Sequence, residues 1–384
     1  MTNQGCFINI FRALKSATIP GSLAQLGERL HGMEEVESSS LLRSTRLKLT
    51  GQLGPFFCAF FPYNKDMEKF RWCFIGVGGL ANRVAKQLLS SDRHEVVSCY
   101  RRNQKKNEEW AKKYHSKAYE SAKDAILAPG VDAVYVVTPH SNHLEYAKLA
   151  LSLGKPVLVE KSFTVSEKEA IELFEYAKEK NLYISEAMWT FYSPVGQKVI
   201  EWVRSGRLGK ITKAEGAFKV PLCARDRRID PKRAGGALLD LGVYPMTYMY
   251  RCFGKPKNMK CFPFVKNGVD YRETIELEYE GFTARVLASF DGLLYKNYAV
   301  FAGENGILKV PEAHRTWHAF IKTKEGTEHF RFPTSYLHEF DVVSEDIKAG
   351  KLESELVPHQ ATLDVLSMMD ECRKQMGVIY PFEK

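Results

Sequence analysis

No stretch of this sequence approaches the roughly 18 consecutive apolar residues that a membrane-spanning helix needs. The longest apolar patch near the start, Pro55 to Tyr63, is far too short, so no membrane partner is expected. No CxxC pair occurs among the eight cysteines, Cys6, Cys58, Cys73, Cys99, Cys223, Cys252, Cys261 and Cys372, and their spacing forms no even framework. Cys73 and Cys99 fall inside apolar, strand-like runs, which fits buried free thiols in a reducing compartment. The N-terminus lacks a basic flank followed by an apolar stretch and a small-residue cleavage site, so a cytoplasmic location is expected. Basic residues are interspersed with acidic ones and form no aromatic-interleaved stripe, which argues against nucleic acid. Neither half contains a repeat or a low-complexity tract.

What the sequence does have is a globular composition. Of 384 residues, 45% are hydrophobic and 12% aromatic, which excludes disorder, collagen and coiled coil as the class of the whole chain. Single cores stop growing near roughly 250–300 residues, so this length supports about two domains. The charge is +9, from 55 Lys+Arg and 46 Asp+Glu. The first 66 residues differ from the rest. Leu23, Leu26 and Leu30 give a brief helical pattern, a serine run follows, and there is no partner element to bury against. Residues 1–66 are expected to be a disordered or spurious extension, with Met67 as the start.

From Met67 the pattern is regular. Apolar runs at Arg71–Ile75, His94–Tyr100, Asp132–Val137, Val157–Val159 and Leu182–Ser185 alternate with helical runs, among them Leu80–Leu89, Leu144–Leu153 and Ser166–Glu179. Strand–helix–strand at this rhythm means parallel pairing with crossover helices, and Ala133-Val134-Tyr135-Val136-Val137 reads as buried on both faces. Residues 67–188 are therefore expected to form a doubly wound parallel sheet of the Rossmann kind. Residues 189–384 change character. Helices near Pro194–Ser205 and Gly236–Cys252 flank a strand at Ile211–Val220, and only strands follow from Lys257 to Pro333. Turn chemistry at Gly281-Phe282 and Glu304-Asn305-Gly306 predicts hairpins. Two final helices, near Ser335–Ala349 and His359–Met376, complete an α+β domain on a mostly antiparallel open sheet with one face free to dimerise.

The chemistry-bearing motifs fall where such a fold places its ligand crevice, at the carboxyl ends of the strands. Gly76-Val77-Gly78-Gly79-Leu80-Ala81 follows a strand and opens a helix. Gly76 permits the tight turn, Gly78 the approach of a pyrophosphate, and Ala81 the helix–strand contact. A tight turn that binds no nucleotide is the alternative. After the second strand an NAD site places an acid for the ribose hydroxyls, yet here Tyr100-Arg101-Arg102-Asn103 offers no carboxylate before Glu108. Arg101 and Arg102 suit a 2′-phosphate, so NADP is favoured and NAD remains possible. Thr138-Pro139-His140-Ser141-Asn142-His143 ends the third strand as a loop beneath the cofactor, with Asn142 as a cap of the next helix. His140 and His143 have no further ligand at metal spacing, so no metal site is expected. Glu160-Lys161-Ser162 ends the fourth strand. A lysine there can act on a substrate hydroxyl, although alone it also reads as a surface residue. Asp240 and Tyr244 stand one helical turn apart and can face one cleft, while Tyr244 alone fits a core. Arg225, Asp226, Arg227 and Arg228 precede that helix and are expected to shape the pocket.

Taken together, Gly76–Ala81, Thr138-Pro139 with His143, Glu160-Lys161 and Asp240-x-Gly-x-Tyr244 resemble the Gfo/Idh/MocA family of oxidoreductases. Glu186-Ala187-Met188-Trp189-Thr190 and the run Gly236–Tyr244 are similar to the branch containing dimeric dihydrodiol dehydrogenase and glucose-fructose oxidoreductase. The resemblance covers about Lys69 to Lys384. It implies a nicotinamide cofactor, Lys161 and Tyr244 at the catalytic centre, and a C-terminal sheet often used for dimers or higher homo-oligomers. Asp240 is expected to orient that pair or to bind a second substrate hydroxyl, and Trp189 to wall the nicotinamide pocket. The expected reaction moves a hydride between the cofactor and a carbinol or carbonyl carbon of a sugar, polyol or cyclic diol. A phenol with an ordinary pKa near 10 needs a nearby cation to work close to neutrality, a role expected of Lys161. Glycoside cleavage through transient oxidation and a non-catalytic nucleotide-binding regulator are the alternatives. One departure stands out: Ser162 replaces the family's proline after the lysine, which predicts looser placement of Lys161.

Overall fold

The chain divides into two units, Met1–Asp66 and Met67–Lys384. A computed structural model describes residues 68–221 and 227–383, all within the second unit. The expected extension, the start at Met67, Cys6, Cys58, Cys223, Arg225, Asp226 and the Arg227 side chain lie outside the described residues.

Apolar runs build the first sheet. Phe70–Ile75 (β1), His94–Tyr100 (β2), Lys117–Tyr119 (β3), Ala133–Val136 (β4), Val157–Glu160 (β5) and Ile184–Ala187 (β6) pair in the order β3-β2-β1-β4-β5-β6. Every pairing is parallel. Crossovers run through Gly79–Leu89 (α1), Gln104–Lys113 (α2), Ala122–Ile126 (α3), His143–Ser152 (α4) and Glu167–Lys180 (α5). All four residues of β4 and of β5 are buried, as continuous apolar strands under two helical layers must be. Ser166 caps α5 by accepting from the Glu169 N–H, and the Glu169 carboxylate reaches back to the Val165 N–H. That reciprocal pair fixes where the helix starts. Sequence reasoning omitted β3 and α3, since Lys117-Ala118-Tyr119 carries almost no apolar pattern.

Strand order reverses between β1 and β4, and a crevice opens above that point. Gly76 ends β1 with φ +99°. A Cβ there would lie 2.6 Å from Thr138 Cγ2, at the end of β4, so only glycine lets the two strand ends converge.

Past Trp189–Tyr192 (α6) and Pro194–Arg204 (α7), the second sheet contains Ile211–Pro221 (β7), Asn258–Lys266 (β8), Val269–Tyr279 (β9), Phe282–Ser289 (β10), Asp291–Gly303 (β11), Gly306–Pro311 (β12), His318–Thr323 (β13) and Gly326–Arg331 (β14). Its order is β14-β13-β12-β11-β7-β10-β9-β8, with β7–β10 parallel and the other pairs antiparallel. Phe282 pairs with Tyr279, so the first expected hairpin turns at Glu280-Gly281, one residue earlier than its sequence signal. Ile275, Leu277, Ala284, Val286 and Phe301 are buried beneath the helices, while Glu278 and Arg285 alternate onto the open face. A π-helical turn, Leu238–Gly242, leads into Val243–Phe253 (α8).

The last two helices, Leu337–Lys348 (α9) and His359–Met376 (α10), form as expected, but α9 docks on the parallel sheet and α10 bridges the two sheets, its Gln375 accepting from the Cys261 N–H of β8 at 2.8 Å. Phe340 of α9 packs edge-on against Trp72 at 4.8 Å and Tyr135 at 5.1 Å, beneath the parallel sheet. Asp341 accepts from buried His94 at 2.8 Å. Leu366 of α10 joins the core formed by Val134, Val136 and Leu173. Periodicity shows that a helix has an apolar face and says nothing about which sheet receives it. No helix among the described residues is long and apolar enough to cross a membrane.

Candidate active site

A cavity of about 1150 Å³ lies above the switch point, between the two sheets. The parallel sheet contributes Gly76, Val77, Gly78 and Leu80, then Tyr100, Arg101 and Arg102, then Thr138, Pro139, His140 and Asn142, and finally Glu160 and Lys161. The other wall carries Trp189, Phe218, Asp240, Tyr244, His314 and Tyr336.

Several features fit a nicotinamide dinucleotide. Gly78 occupies the N-cap of α1 with no side chain to bond the first-turn N–H groups, which leaves them for an anion. The Thr138 hydroxyl is buried, without a hydrogen-bond partner among the described residues, and lines the cavity, so a bound polar group can satisfy it. Arg101 lies across the glycine turn, its guanidinium donating to the Val77 carbonyl at 3.1 Å. Arg102 is exposed at the same rim. Asn103 accepts from the Lys106 N–H at 3.0 Å and caps α2. Ala81 is fully buried between α1 and the sheet, and Gly79 has open space around it.

One residue of the third loop takes another place than expected. His143 is fully buried and does not line the cavity. Its Nδ1 faces the Ser162 and Phe163 carbonyls at 3.0 and 3.2 Å, and its Nε2 the Thr138 carbonyl at 3.0 Å. Burial, then neighbouring His140, push the imidazole down to about 4, against the three backbone carbonyls, which favour its protonated form. A neutral ring has one N–H and donates on one side alone. Asn142 lines the cavity and stands at the N-cap of α4 as expected, but without a side-chain bond to the helix N–H groups; its amide donates to Glu145 at 3.2 Å. His140 does reach the cavity, with Nδ1 3.1 Å from the Ala234 carbonyl.

Lys161, Asp240 and Tyr244 come together. The Lys161 ammonium donates to the Asp240 carbonyl at 2.7 Å and to its carboxylate at 3.1 Å, with side-chain exposures of 10% and 23%. It stands 5.1 Å from the Tyr244 ring centroid. Burial works against the Asp240 charge, but Lys161, then His140, outweigh it and hold the carboxyl below its ordinary range. Tyr244 corrects an expectation. Burial first, then the charge of Glu160, push its phenol well above the usual value. Lys161 faces the ring and spends its charge on Asp240, so Tyr244 keeps its proton at neutral pH. Trp189 donates from its indole to the Tyr244 oxygen at 3.3 Å and stacks on Tyr336 at 4.3 Å.

Glu160 is buried, accepts from the Tyr135 hydroxyl, and takes the Lys161 backbone N–H at 3.2 Å. Burial pushes its carboxyl up to about 7. Ser162 also departs from expectation. Its hydroxyl is buried and donates to the Leu239 carbonyl at 2.8 Å, clipping the end of β5 to the turn that carries Asp240. Placement of Lys161 is therefore anchored by a hydrogen bond where a ring was expected to be missed. Losing one neutral hydrogen bond costs up to about tenfold. Ser162→Ala is accordingly expected to lower kcat three- to tenfold with NADPH affinity unchanged, and Ser162→Thr to retain most of it. Steady-state kinetics beside a fluorescence titration of NADPH checks both.

Among the described residues no three His, Cys, Asp or Glu side chains gather as metal ligands. Sequence reasoning missed Phe218, His314 and Tyr336, which arrive from the second sheet and from the segment before α9. Nothing local distinguishes them.

Residues 70–188 match the oxidoreductase family with an NAD-binding Rossmann fold, and residues 197–309 match the Gfo/Idh/MocA C-terminal domain. The chain belongs to the Gfo/Idh/MocA family. It is accordingly an oxidoreductase built on a nicotinamide-dinucleotide-binding fold, as its glycine turn and crevice residues led us to expect. Among its relatives, D-xylose 1-dehydrogenase (NADP(+)) of Hypocrea jecorina is 29% identical over 368 residues, spanning 81% of this chain and 93% of that protein. Trans-1,2-dihydrobenzene-1,2-diol dehydrogenase of Mus musculus is 29% identical, over 82% of this chain and 99% of its own length. The scyllo-inositol 2-dehydrogenase (NADP(+)) of Bacillus subtilis is 28% identical over the same shares. A 3-ketoreductase from Actinomadura kijaniata, solved with NADP and TDP-benzene, shares the fold with a TM-score of 0.71 at 23% identity, over 80% of this chain and 98% of that one.

Proposed function

We propose that this oxidoreductase uses NADP(H) in preference to NAD(H) and acts on a CH–OH carbon, or the matching carbonyl, of a sugar, polyol or cyclic diol. The observation that carries the proposal is the convergence of Lys161, Asp240 and Tyr244 in one cavity with the glycine turn, Arg101 and Arg102. The printed activities of the xylose, inositol and dihydrobenzene-diol relatives support the substrate class. In this reading residues 67–188 hold the cofactor, and residues 189–384 supply most of the substrate wall.

Bound nicotinamide supplies or accepts the hydride. The chain does the rest. Lys161 hydrogen-bonds the reacting oxygen, held in place by Asp240. Tyr244 gives its proton to a carbonyl oxygen in the reduction direction; burial keeps that proton on the phenol until the transfer. Trp189 fixes the phenol. Arg101 and Arg102 take the 2′-phosphate, and Thr138 bonds the cofactor from below.

Assembly as a homodimer or larger homo-oligomer through the open face of the second sheet is part of the same proposal, supported by exposed Phe262 and Phe264 on its edge strand β8. A cytoplasmic location is supported by the free thiols of Cys73, Cys99, Cys252 and Cys372. A panel of polyols, aldoses and their keto forms, scored for cofactor absorbance with NADP(H) and again with NAD(H), tests the function. Turnover with NADP(H) on at least one cyclic polyol is expected, and a preference for NAD(H) would contradict the role given to the arginine pair.

A further inference from the structure

His314 is one of the polar groups lining the cavity that the proposed chemistry leaves unused. It sits in a short turn at Ala313–Arg315 between β12 and β13. Both sides of its backbone are anchored: the His314 N–H donates to the Asn297 side chain at 2.9 Å, and its carbonyl accepts from the Thr190 hydroxyl at 2.7 Å. The ring therefore has a fixed origin. It projects into the cavity among aromatic neighbours, with ring centroids 4.5 Å from Phe218, 5.7 Å from Tyr244, 6.2 Å from Trp189 and 6.5 Å from Tyr295. Nδ1 lies 3.5 Å from the Tyr295 hydroxyl, and Nε2 has no hydrogen-bond partner among the described residues.

The charge state is also constrained. Burial, then the charges of Arg315, Lys161 and Arg83, push the imidazole down to about 3, with Asp240 opposing them. The ring is neutral near pH 7. A neutral imidazole offers one donor and one acceptor, and a hydroxyl satisfies either. A flat aromatic wall beside it suits the C–H face of a six-membered ring.

We infer that His314 reads a second hydroxyl of the substrate, on a carbon next to the reacting one, and so makes the enzyme select vicinal diols over simple alcohols. The inference rests on the function proposed above and deepens it: the substrate class becomes a ring carrying adjacent hydroxyls, with Tyr244 and Lys161 on the reacting oxygen and His314 on its neighbour. A site built to hydrogen-bond a hydroxyl rejects the analogue that lacks it, because the site's own polar group is then left unpaired.

The test compares matched pairs with NADP+: trans-cyclohexane-1,2-diol against cyclohexanol, and D-glucose against 2-deoxy-D-glucose. The readout is the ratio of kcat/KM within each pair. For the native enzyme the ratio is expected to favour the vicinal compound. His314→Phe is expected to lower that ratio about tenfold, as loss of one neutral hydrogen bond allows, chiefly through KM. His314→Asn, which keeps a donor and an acceptor, should restore part of it. NADPH fluorescence titration of each variant verifies that the cofactor half has folded. An unchanged ratio in His314→Phe, with native turnover intact, would overturn the inference alone. Absence of native turnover on all four compounds would overturn the proposed substrate class and this inference with it.

Discussion

Lys161→Met is expected to lower turnover by about a thousandfold while NADPH still binds within about twofold of the native affinity. Proton transfer and hydrogen bonding by a positioned side chain contribute roughly 10²–10⁴ in rate. Methionine is close in length and keeps an unbranched stem beside the Tyr244 ring, so the aromatic packing survives. What it removes is the ammonium, and with it both bonds to Asp240. Asp240 then becomes a carboxylate without its principal cation, and burial, which already opposes its charge, drives it to take up a proton. The pH profile of the residual activity should therefore differ from that of the native enzyme. Asp240→Asn combined with Lys161→Met should cost little more than Lys161→Met alone, because the two act as one unit. Single-turnover kinetics with NADPH, alongside fluorescence binding, separates lost chemistry from lost cofactor. Native turnover in Lys161→Met would remove the lysine from the catalytic role.

The second large effect concerns cofactor choice. Arg102→Ala is expected to raise KM for NADP+ about tenfold or more and to leave KM for NAD+ nearly unchanged, since hydrogen bonds to a charged group are worth roughly 1.5–3 kcal/mol. Arg101→Ala should behave differently. Its guanidinium also bonds the Val77 carbonyl inside the glycine turn, so its loss disturbs the pyrophosphate turn and weakens both dinucleotides. The double variant is expected to lose the preference for NADP+ by about a hundredfold. Binding titrations with both cofactors decide the matter, and an unchanged preference in the double variant would show that the 2′-phosphate is recognised elsewhere.

Features carried by short, contiguous runs were legible before the fold was known. Continuous apolar strands such as Ala133–Val136, the glycine turn and the spacing of Asp240 and Tyr244 each encode their place locally, through burial on two faces or a single helical turn. Features that depend on a partner far along the chain were not. His143 has the look of a loop residue under a cofactor, yet it is buried with its nitrogens facing the carbonyls of residues 138, 162 and 163. Ser162 looks like a loss, yet its hydroxyl finds a carbonyl 77 positions away. His314, Phe218 and Tyr336 enter the cavity only because the second sheet and the segment before α9 return to the switch point. Charge behaves in the same way. A lysine and a tyrosine in one site suggest a phenol made acidic, but the ammonium is bound to Asp240 and the phenol is buried, so the proton stays.

The central claim is that the cavity above the switch point moves a hydride between a substrate carbon and the nicotinamide, and the most direct measurement follows that hydrogen. A polyol substrate from the panel, carrying deuterium at the reacting carbon, is incubated with NADP+ and the enzyme, and the products are analysed by mass spectrometry. Deuterium is expected in NADPH, one equivalent for each carbonyl formed. Consumption of substrate with no net formation of NADPH, or NADPH free of deuterium, would contradict the account.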